Sequence, residues 1–196
     1  MLTHLIEYPG RTAMLNATNL SLANGRTVSF SATAGRPLAV AGISGSGKTL
    51  LLRSLADLDP ARGTVNLDGV SRDAVSAPDW RARVAYVPAE PGWWAPTLRD
   101  HLPDSSSDGL AALGLAEALL DAPIDRLSTG ERQRAALLRA MTRRPRALLL
   151  DEPTGPLDPA TTTAVEAVLR DWPGILVLVS HDPGQPDRLG AERLSL

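Results

Sequence analysis

The chain has no cysteine among its 196 residues. Disulfide staples and thiolate chemistry are therefore excluded, which fits a reducing compartment without demanding one. Aromatic residues are scarce, seven in all. No apolar run approaches 18 residues, so no stretch reads as a membrane-spanning helix. Met1–Pro9 carries neither a basic start nor a long apolar core, so a signal peptide is not expected. Charge of neither sign dominates: 20 basic and 22 acidic side chains leave a net charge of −2. That balance argues against nucleic-acid binding through bulk charge. Gly and Pro, 16 each, are scattered rather than clustered, so disorder is not implied. Lysine is almost absent. Lys48 is the sole example, and the remaining basic residues are all arginine.

That one lysine sits in Gly42-Ile43-Ser44-Gly45-Ser46-Gly47-Lys48-Thr49. The apolar Leu38–Ala41 precedes it and the helix-like Leu50–Leu55 follows. Strand, glycine-rich loop and helix in this order form a phosphate cradle. Gly42, Gly45 and Gly47 permit backbone angles and close approaches that a Cβ would forbid. Main-chain N–H groups at the start of a helix then point at an anion. The Lys48 ammonium reaches β- and γ-phosphates as a compact charge, which a planar guanidinium does not reproduce. Thr49 offers a hydroxyl to Mg²⁺.

Along the chain, residues 1–14 read as a leader, and 15–196 as one domain with a helical insertion at about 89–145. Leu20, Leu22, Val28, Phe30 and Ala32 alternate around Asn24-Gly25, the signature of a hairpin. Thr64–Leu67 and Arg83–Val87 read as strands. Leu127–Arg144 opens with the Ser128/Glu131 capping pattern and reads as a helix. Ala147–Leu150 and Ile175–Val179 are apolar on both faces, as buried parallel strands are. Asp158-Pro159 starts a helix. The fold class expected is α/β: a P-loop NTPase core with a parallel central sheet, an antiparallel edge and a short helical insertion.

Two carboxylates, Asp151 and Glu152, end one buried strand. His181 ends the other. Ligands in open α/β sheets gather at the carboxyl ends of strands. Asp151 is placed to hold Mg²⁺, and Glu152 to orient and deprotonate a water in line with a γ-phosphate. Arg132, Arg134, Arg139, Arg143, Arg144 and Arg146 lack interleaved aromatics, so a solvated or inter-subunit face is expected rather than a nucleic-acid one.

The series Gly42…Thr49, Leu127-Ser128-Thr129-Gly130-Glu131, Leu148…Glu152, Leu157-Asp158 and Ser180-His181-Asp182 resembles the ATP-binding cassette (ABC) ATPases. The resemblance runs from about Leu15 to about Asp187. It implies ATP and Mg²⁺ as cofactors, with Gly42, Ile43, Ser44, Gly45, Ser46, Gly47, Lys48 and Thr49 on the nucleotide. It also implies Thr49 and Asp151 on the metal, and Glu152 and His181 in catalysis. Cassettes of this family pair head to tail, so Ser128 and Gly130 would meet the γ-phosphate of the partner's nucleotide, and Asp158 would communicate between the two sites. A separate integral-membrane permease subunit and a place on the cytosolic face of the membrane are implied as well. A soluble, non-transport ATPase and a regulatory module with little hydrolysis are the alternatives.

Three departures stand out. Ala89 occupies the position of a family glutamine, with Glu90 beside it. Leu22, Ala23 and Asn24 stand where the family stacks an aromatic on adenine. The span from Pro88 to Leu127 is short for the helical subdomain. Within it, Trp93 and Trp94 are expected either to anchor a partner helix or to pack beneath the insertion.

Overall fold

The computed structural model describes residues 13–102 and 107–196. In chain order the elements are β1 (Met14–Ser21), β2 (Thr27–Thr33), β3 (Leu38–Ala41), α1 (Lys48–Leu55), β4 (Arg62–Leu67), β5 (Val70–Ser71), α2 (Ala77–Arg83) and β6 (Val84–Val87). Then follow α3 (Ser107–Ala112), α4 (Thr129–Thr142), β7 (Ala147–Asp151), α5 (Pro159–Arg170), β8 (Ile175–Val179), α6 (Gln185–Arg188) and β9 (Glu192–Ser195). The expected leader is corrected at its end: Met14 opens β1 and Ala13 is buried, while residues 1–12 lie outside the described part.

Five strands form a parallel sheet in the order β6-β7-β8-β3-β9. Every residue of β7 and β8 is buried. Their side chains alternate between two cores, as the pleat requires. Leu149, Val177 and Val179 join α1 and the second sheet on one face. Leu148, Leu150, Leu176 and Leu178 meet α4 and α5 on the other. Helices and a sheet therefore cover both faces, which is why these runs carry no polar residue before Asp151. Truncating a residue so enclosed, such as Leu148, costs about 2–5 kcal/mol.

The antiparallel strands form a sheet of their own, ordered β2-β1-β4-β5. Asn24-Gly25 makes the β1–β2 turn, with Gly25 at φ 82° and its N–H on the Leu22 carbonyl. A register shift between Ala17 and Leu20 marks a bulge in β1. Helix α2 has no signal in apolar spacing. Its signal is the cap: Ser76 accepts from the Asp79 N–H, and Pro78 lies in the first turn. Trp80 on α2 is fully buried and donates to the Leu55 carbonyl at 2.8 Å, tying α2 to the end of α1.

Candidate active site

Strand order decides what meets. Strands β7, β8 and β3 are neighbours, so the loops at their carboxyl ends lie side by side. Those loops begin at Asp151, Ser180 and Gly42. They bring Ser44, Gly45, Gly47, Lys48, Thr49, Asp151, Glu152 and His181 around one cleft of about 400 Å³, with Ala89 on its wall.

The loop before α1 wraps its own lysine. Lys48 Nζ donates to the carbonyls of Gly42 at 2.8 Å and Ile43 at 3.1 Å. Gly47, at φ 101°, has no room for a side chain: a Cβ would lie 2.5 Å from Asn24 Nδ2. That amide also donates to the Ser46 carbonyl at 3.2 Å, so the β1–β2 turn braces the loop. Gly42 is equally crowded, since a Cβ there would stand 2.6 Å from Ser46 Oγ. Ser46 Oγ is buried and has no partner. Ile43, Ser44 and Gly45 are exposed and lie just before the N-terminus of an eight-residue helix.

Across the cleft, Thr49 Oγ1 donates to Asp151 Oδ2 at 2.8 Å, although 102 residues separate them. Tyr86 donates its hydroxyl to the same oxygen at 3.1 Å. Burial, then the charge and hydrogen bond of Asp151, pushes the Tyr86 phenol well above its usual range, so it remains a donor. Glu152 stands in the left-handed region at φ 49°, where a non-glycine residue is uncommon. Its Oε2 accepts from the His181 N–H at 2.9 Å. Its Oε1 lies 3.5 Å from His181 Nε2, but without hydrogen-bond geometry, and is buried and unpartnered. Burial raises the Glu152 carboxyl above the ordinary glutamate range, and the N–H and charge of His181 only partly oppose it. The Glu152 carboxylate thus combines a buried oxygen free of hydrogen bonds with a raised pKa at the edge of the cleft.

The donor set fits a hard cation bound together with phosphate. Among the described residues no three His, Cys, Asp or Glu side chains cluster as a metal cage. Thr49 and Asp151 supply oxygens only, too few to hold Mg²⁺ alone, and phosphates and water complete such a shell.

Ser128, Gly130 and Asp158 stand apart from this cleft. Ser128 is exposed and forms a reciprocal capping box with Glu131. A Cβ on Gly130 would lie 3.1 Å from Leu157 Cδ2, so that glycine lets the start of α4 pack against the 156–158 segment. Asp158 caps α5 through the N–H groups of Ala160 and Thr161. A second cleft, lined by Glu152, Thr154, Leu157, Thr162, His181 and Arg188, adjoins the first. Glu152 and His181 therefore line both. The arginines expected on a solvated or inter-subunit face take separate partners. Arg134 binds carbonyls of Leu113 and Gly114, Arg146 pairs with Asp68, and Arg139 lies over Trp93 and Trp94 at 4.5 and 4.6 Å. Trp93 is half-buried and Trp94 is 67% exposed. Sequence reasoning missed two contributors, Tyr86 and Asn24. Both depend on strand pairing and loop packing, which spacing does not reveal.

Residues 26–155 match the family model described as ABC transporter. The chain belongs to the ABC transporter ATPase family. An aliphatic sulfonates import ATP-binding protein of Frankia alni is 39% identical over 157 residues, covering 74% of this chain and 59% of that protein. Among eight curated relatives, the cassette spans between 11% and 66% of their length. Two solved structures share the fold. A bacterial Atm1-family ABC exporter with ATP bound superposes at TM-score 0.81 and 22% identity, over 95% of this chain and 37% of the other. A dimeric post-hydrolysis ATP-binding cassette bound to ADP and Pi superposes at TM-score 0.80 and 21% identity, over 93% and 94%. Among the described residues, no helix of the cassette is long and apolar enough to cross a membrane.

Proposed function

We propose that this cassette binds and hydrolyses ATP with Mg²⁺ and powers transport through a separate membrane protein, as a head-to-tail dimer on the cytosolic face. The observation that carries this reading is the convergence of Lys48, Thr49, Asp151, Glu152 and His181 on one cleft. The loop 42–49 wraps the triphosphate with backbone N–H groups, and Lys48 exchanges its carbonyl partners for phosphate oxygens. Thr49 and Asp151 would hold Mg²⁺ together with phosphate oxygens, and the bound ion would supply charge neutralisation at the transferred group. Glu152 accepts a proton from the water attacking the γ-phosphorus. The bond to the β,γ-bridging oxygen breaks, and ADP and phosphate leave. His181, fixed by its N–H on Glu152, orients that water or the γ-phosphate. Head-to-tail pairing adds Ser128 and Gly130 of the second copy, whose helix N-terminus supplies further donors.

The direct test is phosphate release from ATP with Mg²⁺ and with EDTA, using Lys48→Ala as control. Release that needs Mg²⁺ and Lys48 is expected; its absence, even beside co-purified membrane protein, would defeat the enzyme claim. Ala89 favours a second reading, a nucleotide-binding regulatory module that hydrolyses slowly. It lines the cleft with a methyl group where no polar contact is possible. If that reading holds, Ala89→Gln raises a low basal rate without strengthening ADP binding.

A further inference from the structure

We propose that Arg188 and the buried Glu166 are positioning residues for hydrolysis, which hold the loop carrying Glu152 and the loop carrying His181 in one arrangement. This deepens the hydrolysis reading above and rests on it. The two loops leave adjacent strands and are joined at their base by the Glu152 N–H on the Val179 carbonyl at 3.0 Å. Beyond that point Glu152 and His181 meet through the His181 N–H on Glu152 Oε2. The His181 side chain is 74% exposed, so packing does little to fix it and its backbone must be held from behind.

Glu166 supplies that hold. It is buried on α5 and receives donors that lead to each loop. Arg188 reaches it with Nε at 2.8 Å and Nη2 at 2.7 Å, and the same Nη2 donates to Oδ2 of Asp182, the residue next to His181. One nitrogen with two N–H groups thus ties the His181 loop to a buried carboxylate. Asp182 also accepts the Gly184 N–H at 2.9 Å, so its position sets the turn that follows His181. On the other side, Gln185 Nε2 donates to Glu166 Oε1 at 3.0 Å and to Thr154 Oγ1 at 2.8 Å. Thr154 stands two residues after Glu152. Charge sets the orientation of that amide, because turned over it would place its oxygen against the Glu166 carboxylate. Thr154, Asp182 and Arg188 line the second cleft together with Glu152 and His181. Without Arg188, the carboxylates of Glu166 and Asp182 would repel with no cation between them, and the His181 loop would shift outward.

The test separates rate from binding and from stability. Arg188→Met keeps the apolar stem and removes the guanidinium. Hydrolysis of Mg-ATP, measured below the melting temperature of the variant, is expected to lose about ten- to a hundredfold in kcat, the scale for a small misplacement of reacting groups. Mg-ADP affinity by calorimetry is expected to stay within about twofold, because the loop 42–49 is untouched. Glu166→Gln combined with Arg188→Met removes both charges and keeps an acceptor for Gln185, so the melting temperature recovers while kcat stays low. Asp182→Ala is expected to lower kcat on the same scale, and Arg188→Met to add less than about twofold to it. An unchanged kcat overturns the proposal. So does a fall in Mg-ADP affinity in proportion to kcat, or a kcat that recovers along with the melting temperature. Full additivity of Asp182→Ala and Arg188→Met overturns the route through Asp182. A further readout needs no turnover: in hydrogen exchange, peptides covering 180–184 are expected to exchange faster in Arg188→Met and those covering 42–49 as before. A uniform rise, or none, overturns the hold on the loop. If the unmodified cassette releases no phosphate from Mg-ATP, the hydrolysis reading itself falls, an outcome distinct from all of these.

Discussion

Lys48 donates to two backbone carbonyls and forms no ion pair among the described residues, so no carboxylate competes with an arriving phosphate. Lys48→Ala removes a charge-assisted donor, which is worth about a hundredfold in affinity. Calorimetry with Mg-ADP is expected to show that loss; retained affinity would mean the loop binds its ligand elsewhere. Glu152 shows a different tension. Its folded pKa lies above the value of about 4.3 expected for the unfolded chain. The folded state therefore holds this proton to higher pH than the unfolded one. Stability is greatest below the unfolded pKa and is lost as pH rises through the folded pKa. Glu152→Gln abolishes that loss. At pH 7 without nucleotide its melting temperature is expected to rise by about 1–3 °C. Its hydrolysis rate is expected to fall by at least about a hundredfold. The same raised pKa puts the acid limb of the wild-type rate profile above the ordinary glutamate range, because only the ionised form takes a proton from water. A variant that is both less stable and equally active would remove Glu152 from the base role.

At the scale of elements, α5 and α6 are joined by a buried carboxylate. Glu166 is 2% exposed and accepts from Arg188 Nη2 at 2.7 Å and Nε at 2.8 Å, and from Gln185 Nε2 at 3.0 Å. The Arg188 hydrogen bonds hold the Glu166 carboxyl below its usual range, which burial alone would reverse. The sign is the opposite of that for Glu152. This stabilisation is present above the unfolded pKa and is lost as pH falls through the folded one. Arg188→Gln is thus expected to lower the melting temperature at pH 7 and to lose most of that deficit below about pH 4; a deficit constant with pH would assign the effect to packing. Helix α4 offers a simpler case. Ser128→Ala removes the acceptor for the Glu131 N–H and is expected to cost about 1 kcal/mol, or about 2–4 °C in melting temperature. These elements also show what a sequence can reveal. Local signals announced α4 and α5, because caps and apolar spacing lie within a few residues. The runs 147–150 and 175–179 announced buried strands, because both faces had to be apolar. Strands β5 and β9 were silent: β9 has the pattern Glu-Arg-Leu-Ser and holds to β3 through backbone pairing. The site divided the same way. Lys48, Thr49, Asp151, Glu152 and His181 were legible because loop, strand end and chemistry coincide. Tyr86 was not, because its role depends on β6 lying beside β7.

For the whole molecule, the question is what the outer surfaces await. Among the described residues, two of the four exposed large hydrophobics, Leu58 and Trp94, border one groove of about 230 Å³ lined by β6, α4 and the segment just after α1. Arg81, Arg139 and Arg143 line it, and no carboxylate does. Burial, with the charge of Arg143 adding to it, brings the Arg139 guanidinium down to about 10. A half-buried cation with a like charge beside it gains from a carboxylate supplied from outside. Apolar floor, aromatic rim and positive charge without a carboxylate beside it suit a short amphipathic helix with acidic residues beside its apolar stripe. Trp80 and Trp172 are 0% and 4% exposed, so changes in tryptophan fluorescence report Trp93 and Trp94. A synthetic amphipathic helix bearing glutamates is expected to shift that fluorescence at micromolar concentration. Its lysine counterpart is not, and Arg139→Glu should invert the preference. Equal binding of both peptides would reduce the groove to an apolar surface without charge selection.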